Sequence, residues 1–141
     1  MENKAKILHY DEVELGSKYS FSRTITNNDV IKYSLLTGDQ NPLHVSEKFA
    51  KNSQFGKNVV HGMLTASLFS TLVGMHCPGQ NGLYLSQTLK FRMPLFYDDT
   101  VLVTGIVVRK VVALKIIIMK TEIFRDDDLL ISGEAQVQFT K

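Results

Sequence analysis

Two stretches of the sequence carry the residue types best suited to acid–base chemistry. Residues 38–44, Gly-Asp-Gln-Asn-Pro-Leu-His, supply a carboxylate at Asp39 and an imidazole at His44. An apolar run then begins at His61-Gly62, and it predicts a helix N-terminus whose free N–H groups can bind an oxyanion. A carboxylate, an imidazole and an oxyanion binder are sufficient for proton transfer next to a carbonyl group. We therefore treat Asp39, His44 and Gly62 as candidate catalytic residues.

Each candidate also has an ordinary structural explanation. Asp39 could brace the turn that follows a helix, since Asn-Pro pairs are common in loops. His61 could cap the helix or contact its neighbour, and Gly62 could permit close packing against a sheet. We favour acid–base chemistry because the surrounding elements are uncharged and apolar, and a partly desolvated carboxylate is a better base.

A metal site is a further alternative, since Asp39, His44 and His61 could be arranged as a carboxylate and two imidazoles around iron. Nothing beyond residue type supports this arrangement, and no spacing typical of metal ligands is present. We expect no metal. The sequence also lacks a Gly-rich phosphate loop and a Gly-x-Ser-x-Gly elbow.

The element before Asp39 is a predicted helix. Thr26 and Asp29 have the spacing of a capping box, apolar residues follow at helical spacing, and Gly38 ends the helix. Pro42 fixes its own φ angle and restricts the residue before it, so residues 39–44 are predicted to form a rigid turn rather than a helix. Such a turn would hold catalytic groups in place.

Residues 61–76 predict a long helix, about 24 Å at 1.5 Å per residue, which Pro78 and Gly79 end. Ser46 predicts the start of a short helix before it. Apolar side chains lie at nearly every angle around the long helix, so we expect it to be enclosed on all sides.

The remaining elements are predicted strands. Residues 19–25 alternate in polarity, and so do residues 83–91 and 131–139. Residues 100–110 and 113–124 are rich in β-branched residues, with Gly105 a possible bulge. One strand, then helices, then four antiparallel strands give an α+β domain that spans residues 1–141.

Composition excludes several classes of function. The 16 basic and 14 acidic residues are scattered along the chain, so nucleic acid is not an expected partner. The N-terminus has no apolar signal region and no window is long enough to span a membrane, so we expect a soluble, cytoplasmic protein without a membrane partner. The single cysteine, Cys77, agrees with a reducing compartment and is expected to be structural.

Residues 33–44, Tyr-Ser-Leu-Leu-Thr-Gly-Asp-Gln-Asn-Pro-Leu-His, resemble the hydratase motif of the MaoC-like, (R)-specific enoyl-CoA hydratases. The resemblance continues through residues 60–64, 66–70, 84–85 and 89–94 in the same order. The family implies a hot-dog fold, in which an antiparallel β-sheet wraps around a long central α-helix. It also implies a homodimer.

The resemblance implies roles for individual residues. Asp39 and His44 would be the dyad that activates water, and the N–H of Gly62 would bind the thioester oxygen. Further residues are expected to bind or surround the substrate: Asn41, which would brace the loop, His61, Ser70, which would bring a hydroxyl near the site, and Leu72 and Val73 with Val137 as pocket liners.

The implied reaction adds water to a trans-2-enoyl-CoA of short to medium chain length and gives the (R)-3-hydroxyacyl-CoA. It needs no metal or redox cofactor, because coenzyme A belongs to the substrate. Two alternatives stay open. The chain could be a 3-hydroxyacyl-[acyl-carrier-protein] dehydratase that uses the same dyad, with acyl carrier protein as its partner, or a non-catalytic acyl-CoA-binding module.

Overall fold

A computed structural model describes residues 1–141 and contains one six-stranded antiparallel sheet. Its strands are β1 (Lys18–Thr24), β2 (Gly82–Gln87), β3 (Lys90–Phe91), β4 (Thr100–Val111), β5 (Ile116–Arg125) and β6 (Asp128–Phe139). The order across the sheet is β1-β4-β5-β6-β2, and the short β3 also pairs with β6. Helices follow β1 and precede β2, which confirms the predicted α+β order.

Five helices lie between β1 and β2. They are α1 (Asn27–Thr37), α2 (Pro42–Val45), α3 (Glu47–Lys51), α4 (Gly62–Ala66) and α5 (Leu68–Thr71), and a π-helical turn (Leu72–His76) follows α5. Two 3₁₀ turns (Tyr10–Glu12 and Val112–Leu114) complete the secondary structure. No helix in the chain is long and apolar enough to cross a membrane.

The caps predicted from the sequence determine where α1 and α3 lie. The hydroxyl of Thr26 accepts from the N–H of Asp29, and the Asp29 carboxylate accepts from the N–H of Thr26. Gly38 ends α1 at a φ of 82°, a left-handed conformation that glycine adopts without strain. The Ser46 hydroxyl caps α3. These three predictions are confirmed.

The long helix of residues 61–76 is present in three parts. Ser67 separates α4 from α5 without leaving the helical region, and the last turn widens to π geometry, with the N–H of Cys77 bonded to the oxygen of Leu72. Phe69 and Leu72 lie in one cluster of buried apolar residues, whereas Val73 and Cys77 lie in a second. The helix therefore separates the two halves of the core.

Complete enclosure of this helix is a wrong prediction for the single chain. Met63, Ser67, Ser70 and Gly74 are exposed and follow one another at helical spacing, so one side of the helix is open. The apolar pattern does not reveal this side because its residues are small or, like Met63, flexible.

Four local predictions also need correction. Residues 42–45 form the helical turn α2, because proline is well suited to the first turn and the Asn41 side chain caps the N–H of Leu43. The strand predicted over 83–91 is divided into β2 and β3 by a register shift and a loop. Residues 113–115 belong to a turn before β5 rather than to the strand.

The fourth correction concerns Gly105. The irregularity of β4 lies between Val107 and Arg109, not at this glycine. A β-carbon at Gly105 would stand 2.8 Å from Cδ2 of Leu72. Gly105 therefore allows the long helix to approach the sheet closely.

Candidate active site

Asp39 is held in the loop between α1 and α2. The N–H of Asp39 donates to the hydroxyl of Thr37 at 3.2 Å, and its carboxylate accepts from the N–H of Asn41 at the same distance. The side chain of Asp39 is 51% exposed. The loop fixes the backbone on both sides of the carboxylate while one side of the carboxylate stays open to water.

His44 lies within α2 and has a defined tautomer. Its Nδ1 is 2.6 Å from the carbonyl oxygen of Val59, and because a carbonyl can only accept, Nδ1 carries the proton. The neutral ring then has a bare Nε2, which can accept a proton. The hydroxyl of Tyr97 donates to the carbonyl oxygen of His44, and burial raises the pKa of Tyr97, so this donor keeps its proton at neutral pH.

His61 lies between the other two candidates and is only 2% exposed. Its ring stacks on the His44 ring, with centroids 3.9 Å apart and planes inclined by 29°. Tyr33 contacts the ring as well, at 4.7 Å between centroids. The Nε2 of His61 is 3.0 Å from the carbonyl oxygen of Asp39 and therefore donates to it.

Gly62 is the first residue of α4, directly after His61. Its N–H has no partner within the chain, since the first bond of the helix runs from the N–H of Thr65 to the oxygen of His61. The ring of Phe91 lies against this glycine, and a β-carbon at Gly62 would stand 2.9 Å from two ring carbons. The absence of a side chain thus leaves room for both Phe91 and the exposed N–H.

A cavity of about 380 Å³ lies beside two of these residues, whereas Asp39 and His61 do not line it. His44 and Gly62 line it, together with the apolar side chains of Phe91, Met93 and Leu130. Arg92 also lines this cavity, and its Nε donates to the hydroxyl of Ser132 at 2.9 Å. A larger cavity of about 590 Å³ lies beside α1 and α3 and contains none of the candidate residues. We place the candidate site at the smaller cavity because His44 and Gly62 both line it.

The remaining residues expected at the site lie in different surroundings. The side chain of Asn41 braces the start of α2. Ser70 is exposed on the open side of the long helix, Leu72 and Val73 are buried in the two core clusters, and Val137 is buried with Val73. None of these five lines the cavity that holds His44 and Gly62. Their roles toward a substrate stay predictions.

Other parts of the site are not identifiable from the sequence. The carbonyl of Val59 fixes the His44 tautomer, and no side-chain pattern reveals a backbone acceptor. Tyr97 lies just before Asp98-Asp99, and nothing in its local pattern indicates a contact with His44. The alternating pattern places Phe91 in a regular strand, whereas its contact with Gly62 depends on the break between β2 and β3.

The three side chains considered for a metal do come together, with donor atoms within 4.8 Å of one another. The hydrogen bonds of the two histidines favour proton transfer over metal binding, because each ring already has one nitrogen engaged as a donor. Nε2 of His61 carries a proton that is donated to Asp39, and Nδ1 of His44 carries one donated to Val59. The imidazole rings also stack, so their in-plane lone pairs lie in two separate, stacked planes, which does not suit binding to one metal ion.

The arrangement places His44 and the N–H donor Gly62 at one largely apolar cavity, and it places the Asp39 carboxylate close to His44. A gap of at most 4.8 Å between the carboxylate and a ring nitrogen of His44 is small enough for one water molecule to bond to both. The free N–H of Gly62 lies at the positive end of the helix and can stabilise negative charge on a substrate oxygen.

Comparison with known proteins points to one family. The model of the MaoC like domain matches residues 11–124. An (R)-specific enoyl-CoA hydratase from Rhodospirillum rubrum is 35% identical over 93% of this chain and 92% of its own length. A mitochondrial 3-hydroxyacyl-[acyl-carrier-protein] dehydratase from Solanum lycopersicum is 40% identical over 87% of this chain and 75% of its own length.

A solved structure agrees with these matches. The (R)-hydratase from A. caviae involved in PHA biosynthesis superimposes with a TM-score of 0.87 at 37% identity, and the match covers 90% of this chain and 97% of that one. The similarity confirms the predicted hot-dog fold, in which the sheet packs around the long helix.

Proposed function

This chain belongs to the MaoC-like family, and from that premise we propose that it adds water to a trans-2-enoyl-CoA to give the (R)-3-hydroxyacyl-CoA. It is a hydro-lyase, as are the relatives that it matches over nearly its full length. The observation that carries the proposal is that His44 and Gly62 line the same small cavity. The Nε2 of His44 is bare, and the N–H of Gly62 has no partner within the chain.

In the proposed mechanism, Asp39 and His44 hold a water molecule beside the β-carbon of the enoyl group. The water oxygen bonds to this carbon while the dyad takes one of its protons. The electrons of the C=C bond move toward the thioester, whose oxygen gains negative charge and is stabilised by the N–H of Gly62. The dyad then returns the proton to the α-carbon on the same face. The reaction requires no metal or redox cofactor.

We expect Asp39→Asn to lower kcat on crotonyl-CoA by about 100-fold to 10,000-fold, because an uncharged amide cannot act with His44 to take a proton from water. The loss of ultraviolet absorbance of the enoyl thioester measures the rate, and the stereochemistry of the product tests for the (R) form. Asp127→Asn is the matched control, since Asp127 is an exposed carboxylate in the β5–β6 turn. An inactive wild-type chain, or an Asp39→Asn variant as active as the wild type, would contradict the proposal.

The carrier-protein dehydratase is the second candidate, supported by the tomato relative and by Arg92 at the cavity, a cation suited to an acidic partner. Rates on crotonyl-CoA and on crotonyl-acyl carrier protein distinguish the two. We expect coenzyme A thioesters to be the better substrates, and a preference of about tenfold for the carrier protein, or about 1.4 kcal/mol, would favour the alternative. A binding module without catalysis would bind crotonyl-CoA and leave its absorbance unchanged.

We also propose that the chain works as a homodimer. Strand β2 is an edge of the sheet, and its Leu83 and Leu85 are 50% and 46% exposed. Such an edge can pair with a second copy unless charge prevents it. We expect Leu83→Lys with Leu85→Lys to shift the mass in light scattering from dimer to monomer. Leu102→Lys, in a strand paired on both sides, should leave the mass unchanged.

The cytoplasmic location of the protein stays a prediction.

A further inference from the structure

One buried imidazole is not used by the proposed mechanism. His61 is 2% exposed and does not line the cavity, so it has no access to a substrate. Its side chain makes no capping hydrogen bond to the helix that it precedes. Both functions expected of His61 from the sequence, substrate contact and helix capping, therefore lack support in its contacts.

The contacts of His61 lead to the dyad. Its Nε2–H donates to the carbonyl oxygen of Asp39 at 3.0 Å and is shared with the hydroxyl of Ser34 at 3.3 Å. Its ring stacks on His44 at 3.9 Å. Its own backbone continues into Gly62. One residue thus connects the base, the carboxylate loop and the oxyanion donor.

Stability alone does not account for a histidine at this position. The donated proton leaves Nδ1 of His61 bare, and this nitrogen is buried without a hydrogen-bond partner. A buried acceptor without a partner reduces stability. An apolar side chain would avoid that loss, but it could not donate to the carbonyl of Asp39.

We infer that His61 is a positioning residue, which holds Asp39 and His44 at a fixed distance from the N–H of Gly62. The inference rests on the proposed hydration reaction, because it assigns His61 to that reaction's geometry. His61 exchanges no proton with the substrate. It acts through the hydrogen bond to the carbonyl oxygen of Asp39.

Two variants with an amide side chain test this role. Both carry the same donor group, but their side chains differ in length. In His61→Gln the amide nitrogen is as many bonds from the backbone as Nε2, so it can still donate to Asp39. In His61→Asn the amide reaches only the position of Nδ1. We expect the Gln variant to keep kcat within about threefold and the Asn variant to lose about 100-fold, with KM nearly unchanged in both, since misplacement of about 1 Å has effects of this size.

The wild-type protein offers a test that does not depend on how the variants fold. Long-range ¹H–¹⁵N spectra of the four histidines report which nitrogen carries the proton. We expect the Nε2–H tautomer for His61 and the Nδ1–H tautomer for His44. A proton on Nδ1 of His61 would overturn the inference, because the bond to Asp39 would then be absent.

Equal kcat values for folded Gln and Asn variants would also overturn the role of His61, and so would a loss that appears in KM alone. An inactive wild-type chain is a different result. It would overturn the proposed function itself, whereas an active wild type with indistinguishable variants would overturn only the positioning role.

Discussion

At the scale of single residues, Gly62 has two functions that substitution can separate. Ala at this position keeps the backbone N–H but places a β-carbon 2.9 Å from the Phe91 ring. We expect Gly62→Ala to push this half-exposed ring into the cavity and raise KM for crotonyl-CoA about tenfold, which corresponds to about 1.4 kcal/mol. Adding Phe91→Ala to this variant should bring KM most of the way back to the wild-type value.

The control for this experiment lies on the same helix. Gly74 is exposed, and a β-carbon there would meet no atom within 4 Å. Gly74→Ala should leave KM unchanged and raise the free energy of unfolding by about 0.5–1 kcal/mol, as expected when alanine replaces glycine in a helix. If Phe91→Ala fails to recover the Gly62→Ala variant, the ring is not what limits substrate binding.

Residue types and spacing make Asp39, His44 and Gly62 candidates, and the family resemblance assigns their roles. The structure brings Asp39 close to His44 and places His44 and Gly62 at one cavity. The neighbours that orient them are not predictable in the same way. The tautomer of His44 depends on a carbonyl fifteen residues away, and the contact of His61 with His44 arises only when α2 packs against the start of α4. Sequence patterns report local geometry, whereas these contacts depend on packing between distant segments.

At the scale of elements, Gly38 connects the end of α1 to the position of Asp39. A β-carbon at Gly38 would meet no atom within 4 Å, so substitution acts through its φ of 82°. We expect Gly38→Ala to lower the free energy of unfolding by about 1 kcal/mol, the penalty for an L-residue in the left-handed region. The midpoint temperature of thermal unfolding and kcat should both fall, because Asp39 is the residue that follows Gly38.

Gly38→Asn is the matched variant, since asparagine enters the left-handed region more readily than alanine does. It should retain most of the stability and the activity. An Asn variant as impaired as the Ala variant would show that the position needs glycine for a reason other than φ.

The predicted caps of α1 and α3 are correct because a cap depends on residues three positions apart. The errors at α2 and at the break between β2 and β3 have a different origin. Pro42 excludes a helix interior, yet proline is favoured in a first helical turn. The break depends on partners in β6, where the N–H of Glu134 donates to the hydroxyl of Thr88, and no pattern in residues 83–91 reveals it.

At the scale of the whole molecule, the buried thiol of Cys77 and the half-buried phenol of Tyr84 contribute to how stability changes in alkali. Burial raises the pKa of Cys77 from 9.0 to about 11 and that of Tyr84 from 10.0 to about 12. The folded chain therefore binds these protons more tightly than the unfolded chain. Their contribution is complete below pH 9 and is lost from Cys77 between pH 9 and 11, and from Tyr84 between pH 10 and 12.

We expect Cys77→Ala to flatten this decline. Between about pH 8 and 10 its free energy of unfolding should fall by about 1 kcal/mol less than that of the wild type, from the linkage of one proton. Urea titrations at the two pH values measure the difference. A parallel decline in both proteins would mean that the Cys77 thiol titrates alike in the folded and unfolded chains.

The position of Leu72 and Val73 has a consequence for how the protein opens. These neighbours in sequence are buried in different core clusters, so the last turns of the long helix form a wall that both clusters share. Neither half of the interior can loosen without exposing apolar surface in the other. Amide hydrogens on β4 and β5 should therefore exchange with solvent in one concerted opening event. Opening that leaves both clusters intact should be confined to the edge of the cavity beside His44.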